Sequence, residues 1–159
     1  VCFRWRAEAG WPVEYVSENV RLWGYAVESL LAGEPPFSAM IHPDDLPRVI
    51  EEVTRYTAEG RVGYDQEYRL RKADGTEMWV FDRTIVQRDE TGAPRYYDGI
   101  ISDITERKHQ EQTLAANLEA QRSLNKRIEE AHNQLLQSEK MASIGQLAAG
   151  VAQIGRAHV

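Results

Sequence analysis

Tyr64-Asp65-Gln66-Glu67-Tyr68-Arg69-Leu70-Arg71, then Asp74-Gly75, then Trp79-Val80-Phe81-Asp82-Arg83-Thr84-Ile85 is the stretch whose reading decides the fold. Successive side chains of a strand point to opposite faces, so Tyr64, Gln66, Tyr68 and Leu70 share one face while Asp65, Glu67, Arg69 and Arg71 take the other. Asp-Gly between two such runs closes a tight hairpin, because glycine accepts the positive φ that hairpin turns demand. On the return strand Trp79, Phe81, Arg83 and Ile85 continue the pattern, Thr91-Gly92 makes a second turn, and a last strand runs from about Pro94 to Ser102. Tyr96, Ile100 and Ile104 are among the apolar positions of that strand. The four charged residues on the first strand read most simply as an exposed ion-pair ladder contributing little.

Toward the N-terminus, Val1, Phe3 and Trp5 alternate with Arg4 and Arg6 as a half-buried strand, and a turn at Ala9-Gly10-Trp11-Pro12 leads to a second strand, Val13 to Val16. Ser17-Glu18-Asn19 offers caps for short helical segments from Val20 to Leu31, which end around Gly33-Glu34-Pro35-Pro36. His42-Pro43-Asp44-Asp45 reads as a helix start, since proline suits the first helical position and carboxylates complement the helix dipole. Leu46, Val49, Ile50, Val53 and Tyr56 follow at helical spacing, and Gly60 ends the helix. Two strands, short helices and a three-strand meander make an α+β chain: an antiparallel sheet with helices on one face.

At 159 residues and 18.2 kDa there is room for one core of ordinary size plus an extended element. A net charge of −6 and a pI near 5.3 exclude a nucleic-acid surface, which needs clustered Lys and Arg. A single cysteine, Cys2, excludes an internal disulfide and a cysteine metal cluster and suits a reducing compartment, so the expected location is cytoplasmic. No apolar run approaches the ~18 residues that a membrane span requires, so any anchor would lie upstream in a longer parent. The chain opens at Val1 inside an alternating segment and reads as a piece cut from such a parent.

Three motifs in order, Ile41-His42-Pro43-Asp44-Asp45, then Tyr68-Arg69-Leu70-Arg71-Lys72-Ala73-Asp74-Gly75 with Trp79-Val80, then Asp103-Ile104-Thr105-Glu106-Arg107-Lys108, resemble the PAS domain family, in its bacterial subgroup with an HPDD helix start. The resemblance covers nearly all of residues 1–108. It implies a five-stranded antiparallel sheet whose concave face, closed by helices, either holds a small ligand or is filled by side chains. Pocket candidates are Phe3, Trp5, Trp23, Tyr25, Phe37, Tyr68, Trp79 and Phe81; an aromatic lining suits plain core equally. No cofactor is assigned. His42 is a histidine that could ligate haem iron, but reads as a helix-start residue; flavin photochemistry by thiol addition needs a cysteine in the middle helices, where none stands; a non-covalent flavin or small metabolite remains open. The resemblance also makes Asp103, Ile104, Thr105 and Trp79 a joint that passes sheet movement into the next helix. Physically, Asp103 and Thr105 suit a helix cap, and Asp103 is expected to accept a hydrogen bond from the Trp79 indole.

The composition shifts near Asp103 to a stretch rich in Leu, Ala, Gln, Glu and Lys, without proline and without glycine until Gly145, as a single long helix would be. Leu114, Gln121, Ile128 and Leu135 at a, with Asn117, Leu124 and Ala131 at d, give a leaky coiled-coil seam whose polar members can fix register. The plain alternative is a solvated helix packed on its own domain. Past Leu135 the apolar phase slips, and Met141, Ile144, Ala148 and Val151 form a new stripe. Residues 138–152 resemble the opening of the dimerisation and phosphoacceptor helix of sensor histidine kinases. The acceptor histidine of that family would follow Ala152; Gln153 stands there, and His158 is five residues further on, off the same helix face.

The expected division is therefore a sensory domain over 1–104, a signalling helix over 105–137, the start of the phosphoacceptor helix over 138–152, and a truncated or vector-derived tail over 153–159. The expected function is relay of the PAS state through a parallel homodimeric coil to a kinase, whose own ATP-binding domain and response regulator would be the further partners. The fragment itself is expected not to be an enzyme, since it carries neither the acceptor nor a glycine-rich phosphate loop. The alternatives are a ligand-free dimerisation module and input to another effector such as a diguanylate cyclase.

Overall fold

The computed structural model describes residues 1–156, with side chains through residue 150. Val151 of the second stripe, and the whole of the tail with His158, thus lie outside the described side chains. The element order is β1 (Cys2–Arg6), β2 (Val13–Val16), a 3-10 segment (Glu18–Trp23), α1 (Val27–Leu31), α2 (Phe37–Met40), α3 (Leu46–Ala58), β3 (Gly63–Arg71), β4 (Glu77–Arg88), β5 (Pro94–Asp103) and α4 (Thr105–Arg156). The five strands form one antiparallel sheet in the order β2-β1-β5-β4-β3, so the last strand lies at its centre. The chain divides into two compact units, Val1–His109 and Gln110–Val159.

The core lies between the helices and one face of the sheet. Phe3 and Trp5 of β1, Tyr64, Tyr68 and Leu70 of β3, Met78, Val80 and Val86 of β4, and Tyr97 and Ile101 of β5 meet Val20, Trp23, Leu30, Phe37, Met40, Val49 and Val53 from the helical side. Phe3 stacks on Trp5 with ring centroids 5.0 Å apart, and Phe37 packs against both, at 5.3 and 4.8 Å. Burial of such aromatics is the largest apolar contribution available to a core of this size.

The strand parity expected for β3 holds, but the expectation that put Trp79 and Phe81 of β4 on the pocket side needs correction. Trp79, Phe81 and Ile85 face away from the helices, as do Tyr96 and Ile100, while the inner face of β4 carries Met78, Val80, Asp82, Thr84 and Val86. Both faces of β4 carry large apolar residues, so alternation alone does not say which one is inside. The HPDD segment also differs from its expected form. Residues 43–45 make a turn whose His42 carbonyl accepts the Asp45 and Leu46 amides, and α3 begins at Leu46 with Pro47 in its first turn.

Gly99, on the central strand, is required by close approach. A Cβ there would overlap the Trp5 ring and come within 3.1 Å of Asp82 Oδ1. Gly99→Ala is therefore expected to destabilise the fold by about 1–3 kcal/mol through overpacking. Urea unfolding would measure it; an unchanged midpoint would show that Trp5 can step aside without cost.

Candidate functional site

The inner face of β3 and β4 turns polar at its middle. There, between the sheet and α3, lies a cavity of about 20 Å³ lined by Trp5, Trp11, Phe37, Ile41, Val49, Val53, Tyr64, Gln66, Tyr68, Asp82, Thr84 and Tyr97. That volume is enough for one water molecule and far too small for a ring system. Flavin and haem do not fit it in this arrangement. Of the aromatic candidates, Trp5, Phe37 and Tyr68 line the cavity, whereas Phe3 and Trp23 pack in the core around it. Tyr25 lies at the margin, its hydroxyl donating to the Arg71 carbonyl at 2.8 Å. Trp79 and Phe81 belong to the opposite sheet face and cannot line it.

Sequence reasoning missed the polar residues of this site. Asp82 is 5% exposed, and each of its oxygens is occupied: the Tyr68 hydroxyl donates to Oδ2 at 2.8 Å and the Thr84 hydroxyl to Oδ1 at 2.9 Å. Burial pushes the Asp82 carboxyl up to about 6, against the lowering effect of these two bonds. The same desolvation raises the phenol of Tyr68 well above its ordinary value, helped by the neighbouring Asp82 charge. Gln66, also buried, donates through Nε2 to Glu52 Oε2 on α3 at 2.8 Å, and the Tyr97 and Thr57 hydroxyls are 3.2 Å apart. The Trp5 indole N–H is buried without an acceptor among the described residues, the kind of orphan donor that is rare and costly.

His42 stands outside the cavity. Its Nδ1 accepts the Asp44 amide at 3.2 Å, and its Nε2 is 3.0 Å from Glu77 Oε1, so both ring nitrogens face protein groups. Asp45 does not cap α3. It accepts the Arg69 amide, Nε and Nη2 at 2.9, 3.0 and 2.8 Å, and these bonds hold its carboxyl below the usual range.

The second structured feature is the strand-to-helix joint. β5 passes into α4 through Ile104 alone. Asp103 Oδ1 accepts the Thr105 amide at 2.8 Å, the Thr105 hydroxyl accepts the Trp79 amide at 3.0 Å, and the Ile104 amide donates to the Trp79 carbonyl at 2.9 Å. Both main-chain groups of Trp79 are thus committed to the joint. The expected bond from its indole to Asp103 is not formed, for a reason of parity. Asp103 registers with Val80 and shares its face, while the Trp79 ring lies on the other face, between Arg69 at 5.7 Å and Lys108 at 5.2 Å.

The charged face of β3 is likewise not a ladder among its own members. Glu67 takes Arg107 on Oε1 and Lys108 on Oε2, both at 2.6 Å, and these cations lower its pKa. Asp65 has a cross-strand partner, Arg83, at 2.8 Å.

In the second unit the helix is continuous, and the side chains assigned to the seam, Leu114, Leu124, Ile128, Leu135, Met141 and Ile144, are exposed on the single chain. No helix among the described residues is long and apolar enough to cross a membrane, and none of these residues forms a cluster fit to hold a metal ion.

A five-stranded antiparallel sheet in this order, with helices enclosing a small core cavity on one face and a helix leaving its central strand, defines a sensory α+β domain. The PAS fold family matches residues 13–101, and the chain belongs to that family. It is 43% identical over 114 residues, 72% of its length, to the methyl sulfide methyltransferase-associated sensor of Methanosarcina acetivorans, of which it covers 11%. It is 32% identical over 90 residues, 53% of its length, to the peroxide stress-activated histidine kinase mak1 of Schizosaccharomyces pombe, covering 5% of that protein. Among solved structures, the sensory box histidine kinase/response regulator from Burkholderia thailandensis superposes with a TM-score of 0.60 at 28% identity, over 76% of this chain and 88% of that one. The chain therefore spans a small fraction of the length of its curated relatives, and the family match covers its PAS unit.

The titration of Asp82 has a sign that can be checked. Because folding raises its pKa from 3.8 to about 6, the native chain keeps the proton over a window in which the unfolded chain has lost it. The group's contribution to stability therefore falls as pH rises from about 4 to about 6 and is level above, a change of about 3 kcal/mol. Asp82→Asn should remove that dependence. The wild-type-minus-variant difference in urea stability is expected to favour the wild type by about 2 kcal/mol more at pH 4 than at pH 7; a difference that does not vary with pH would show an ordinary carboxyl.

Proposed function

We propose that this chain is the input and relay segment of a sensor histidine kinase. In this reading the PAS unit over 1–104 reports its state through α4, residues 105–137 pair in parallel with a second copy, and residues 138–152 open the helix on which the parent's kinase acts. The observation that carries the reading is the joint. A central strand runs into a helix through one residue; two hydrogen bonds tie that passage to the backbone of Trp79 on the neighbouring strand, and a third, from the Thr105 amide to Asp103 Oδ1, caps the helix. A displacement of β4 or β5 has no slack in which to be lost before it reaches α4.

The exposed seam supports pairing, since Leu114, Leu124, Ile128 and Leu135 recur at heptad spacing with nothing from their own unit to cover them. The partners in a parent would be a second copy of this chain, an ATP-binding domain and a response regulator. Residues 138–152 favour a kinase over a diguanylate cyclase as effector, because other effectors have no need of that segment. The small size of the cavity favours a second reading, a PAS unit with a filled core that dimerises and relays without a resident ligand.

Two measurements test the proposal. Sedimentation of the 159-residue chain is expected to give a dimer; a strict monomer at concentrations of tens of micromolar, about the range in which a weak coil should still pair, would end it. Residues 1–152 joined to the remainder of a histidine kinase at its acceptor helix should give autophosphorylation that Asp103→Ala or Thr105→Val alters severalfold, about what losing a cap of ~1 kcal/mol allows, with the sheet still folded by circular dichroism. Unchanged phosphorylation in both variants would count against the joint as a transmitter.

A further inference from the structure

Glu67 is the residue at which the inside and the outside of the sheet meet. Its side chain, on the outer face of β3, holds Arg107 and Lys108 in the first turns of α4. Its main-chain carbonyl is held on the other side: Arg48 of α3 donates to it through Nη2 at 2.8 Å. The second arm of that guanidinium, Nη1, donates to Glu52 Oε2 at 3.0 Å. The same carboxylate oxygen accepts Gln66 Nε2 at 2.8 Å, and Gln66 is a wall of the core cavity. A continuous chain of hydrogen bonds thus runs from the cavity wall through Glu52, Arg48 and Glu67 to the start of α4, and each link is within ordinary hydrogen-bonding distance.

We propose that Gln66 is the residue through which a change in the core cavity is passed to α4, with Glu52, Arg48 and Glu67 as the intermediate links. This rests on the reading of α4 as the output element. The physical basis is a shared acceptor. Glu52 Oε2 divides itself between an amide inside the core and a guanidinium at the surface. A polar ligand or a rearranged wall that draws the Gln66 amide away leaves Glu52 free to close fully on Arg48. Two-point closure of a guanidinium on a carboxylate is the stronger geometry, so it competes with the bond from Arg48 to the Glu67 carbonyl. β3 is an edge strand of the sheet, laddered to β4 on one side and met on the other by separate contacts from Ile41, His42, Asp45 and Arg48, so release of the Arg48 bond frees its Glu67 carbonyl in particular. Any shift at Glu67 is delivered to Arg107 and Lys108, since both carboxylate oxygens are already engaged there. Discrete alternatives of this kind, rather than elastic strain, are what carries coupling between sites.

The test is hydrogen exchange followed by mass spectrometry on the whole 159-residue chain. Gln66→Leu, Glu52→Gln and Arg48→Met are each expected to speed amide exchange over residues 104–109 by about threefold or more, the range expected for coupled neighbours. Glu67→Gln should do the same. The double variant Gln66→Leu/Glu67→Gln should be no faster than Glu67→Gln alone, because both break one chain. Thr54→Val, on the exposed side of α3 and off the path, should change nothing in that segment. The proposal is overturned if Gln66→Leu and Glu52→Gln leave residues 104–109 as they are, if Glu67→Gln has no effect, or if the double variant multiplies the single effects. Should circular dichroism show that Gln66→Leu does not fold, Glu52→Gln carries the test, its carboxylate being partly exposed. Exchange is read within the PAS unit alone, so a failure here leaves kinase control by α4 standing, and coupling without kinase control strikes only the functional reading.

Discussion

An edge strand exposes a row of main-chain donors and acceptors that something must satisfy, and in this domain the satisfaction of β3 organises nearly everything else. The outward groups of Glu67 and Arg69 are met by the Arg48 side chain, the Asp45 carboxylate and the His42 amide, all from the turn and helix that follow the short α2. Closing that edge brings α3 down over the inner face of the sheet, where Val49 and Val53 become the lid of the core. The side chains of the same two β3 residues lie on the outer face, where Glu67 engages α4 and Arg69 reaches Trp79. One edge therefore fixes both the roof of the cavity and the footing of α4.

Beneath that roof the core is under an unusual constraint. A carboxyl placed in an apolar interior either loses its charge or needs every lone pair answered, and Asp82 does something of both. Tyr68 and Thr84 occupy its two oxygens, yet burial still carries its pKa toward neutrality. Gly99 is part of the same arrangement, since only a residue without a Cβ lets the Trp5 ring and the Asp82 carboxylate lie against the central strand together. The result is a tight cavity with a hydrogen-bonded patch on the sheet side, Gln66, Tyr68, Asp82 and Thr84, among otherwise apolar and aromatic walls.

How much of this the sequence disclosed depended on how unlike the two faces of each strand are. β3 was legible because Asp65, Glu67, Arg69 and Arg71 leave one face wholly charged. β4 and β5 were not, because Trp79, Phe81, Tyr96 and Ile100 are apolar residues on the outer face and Asp82 and Thr84 are polar ones on the inner. A signal was nonetheless present. A hairpin closing at Asp74-Gly75 sets Tyr68 opposite Val80 and Gln66 opposite Asp82, so the known inner face of β3 dictates that of β4. Register, used in place of hydrophobicity, would have found Asp82 and placed Trp79 and Phe81 outside. The partners of Glu67 and Arg69 lie 40 and 24 residues away in sequence, at Arg107 and Asp45, and no local pattern points to them.

The joint at Asp103 is a helix cap that reaches beyond its own helix. A flexible connection between β5 and α4 would let the helix keep its direction while the sheet moved, and a cap with only local bonds would do little more. Here the cap is not local: the Thr105 hydroxyl that begins the helix receives the amide of Trp79, a residue of the neighbouring strand, and Ile104 returns a bond to the carbonyl of the same residue. The start of α4 is thereby held to the Trp79 backbone of β4 by the Thr105 hydroxyl and the Ile104 amide, and to β3 by the ion pairs of Glu67. Two strands of one sheet grip one helix end at separate points. A relative slide between those strands must then appear as a rotation or tilt of the first turn, since a helix end held at two points cannot answer by translation alone.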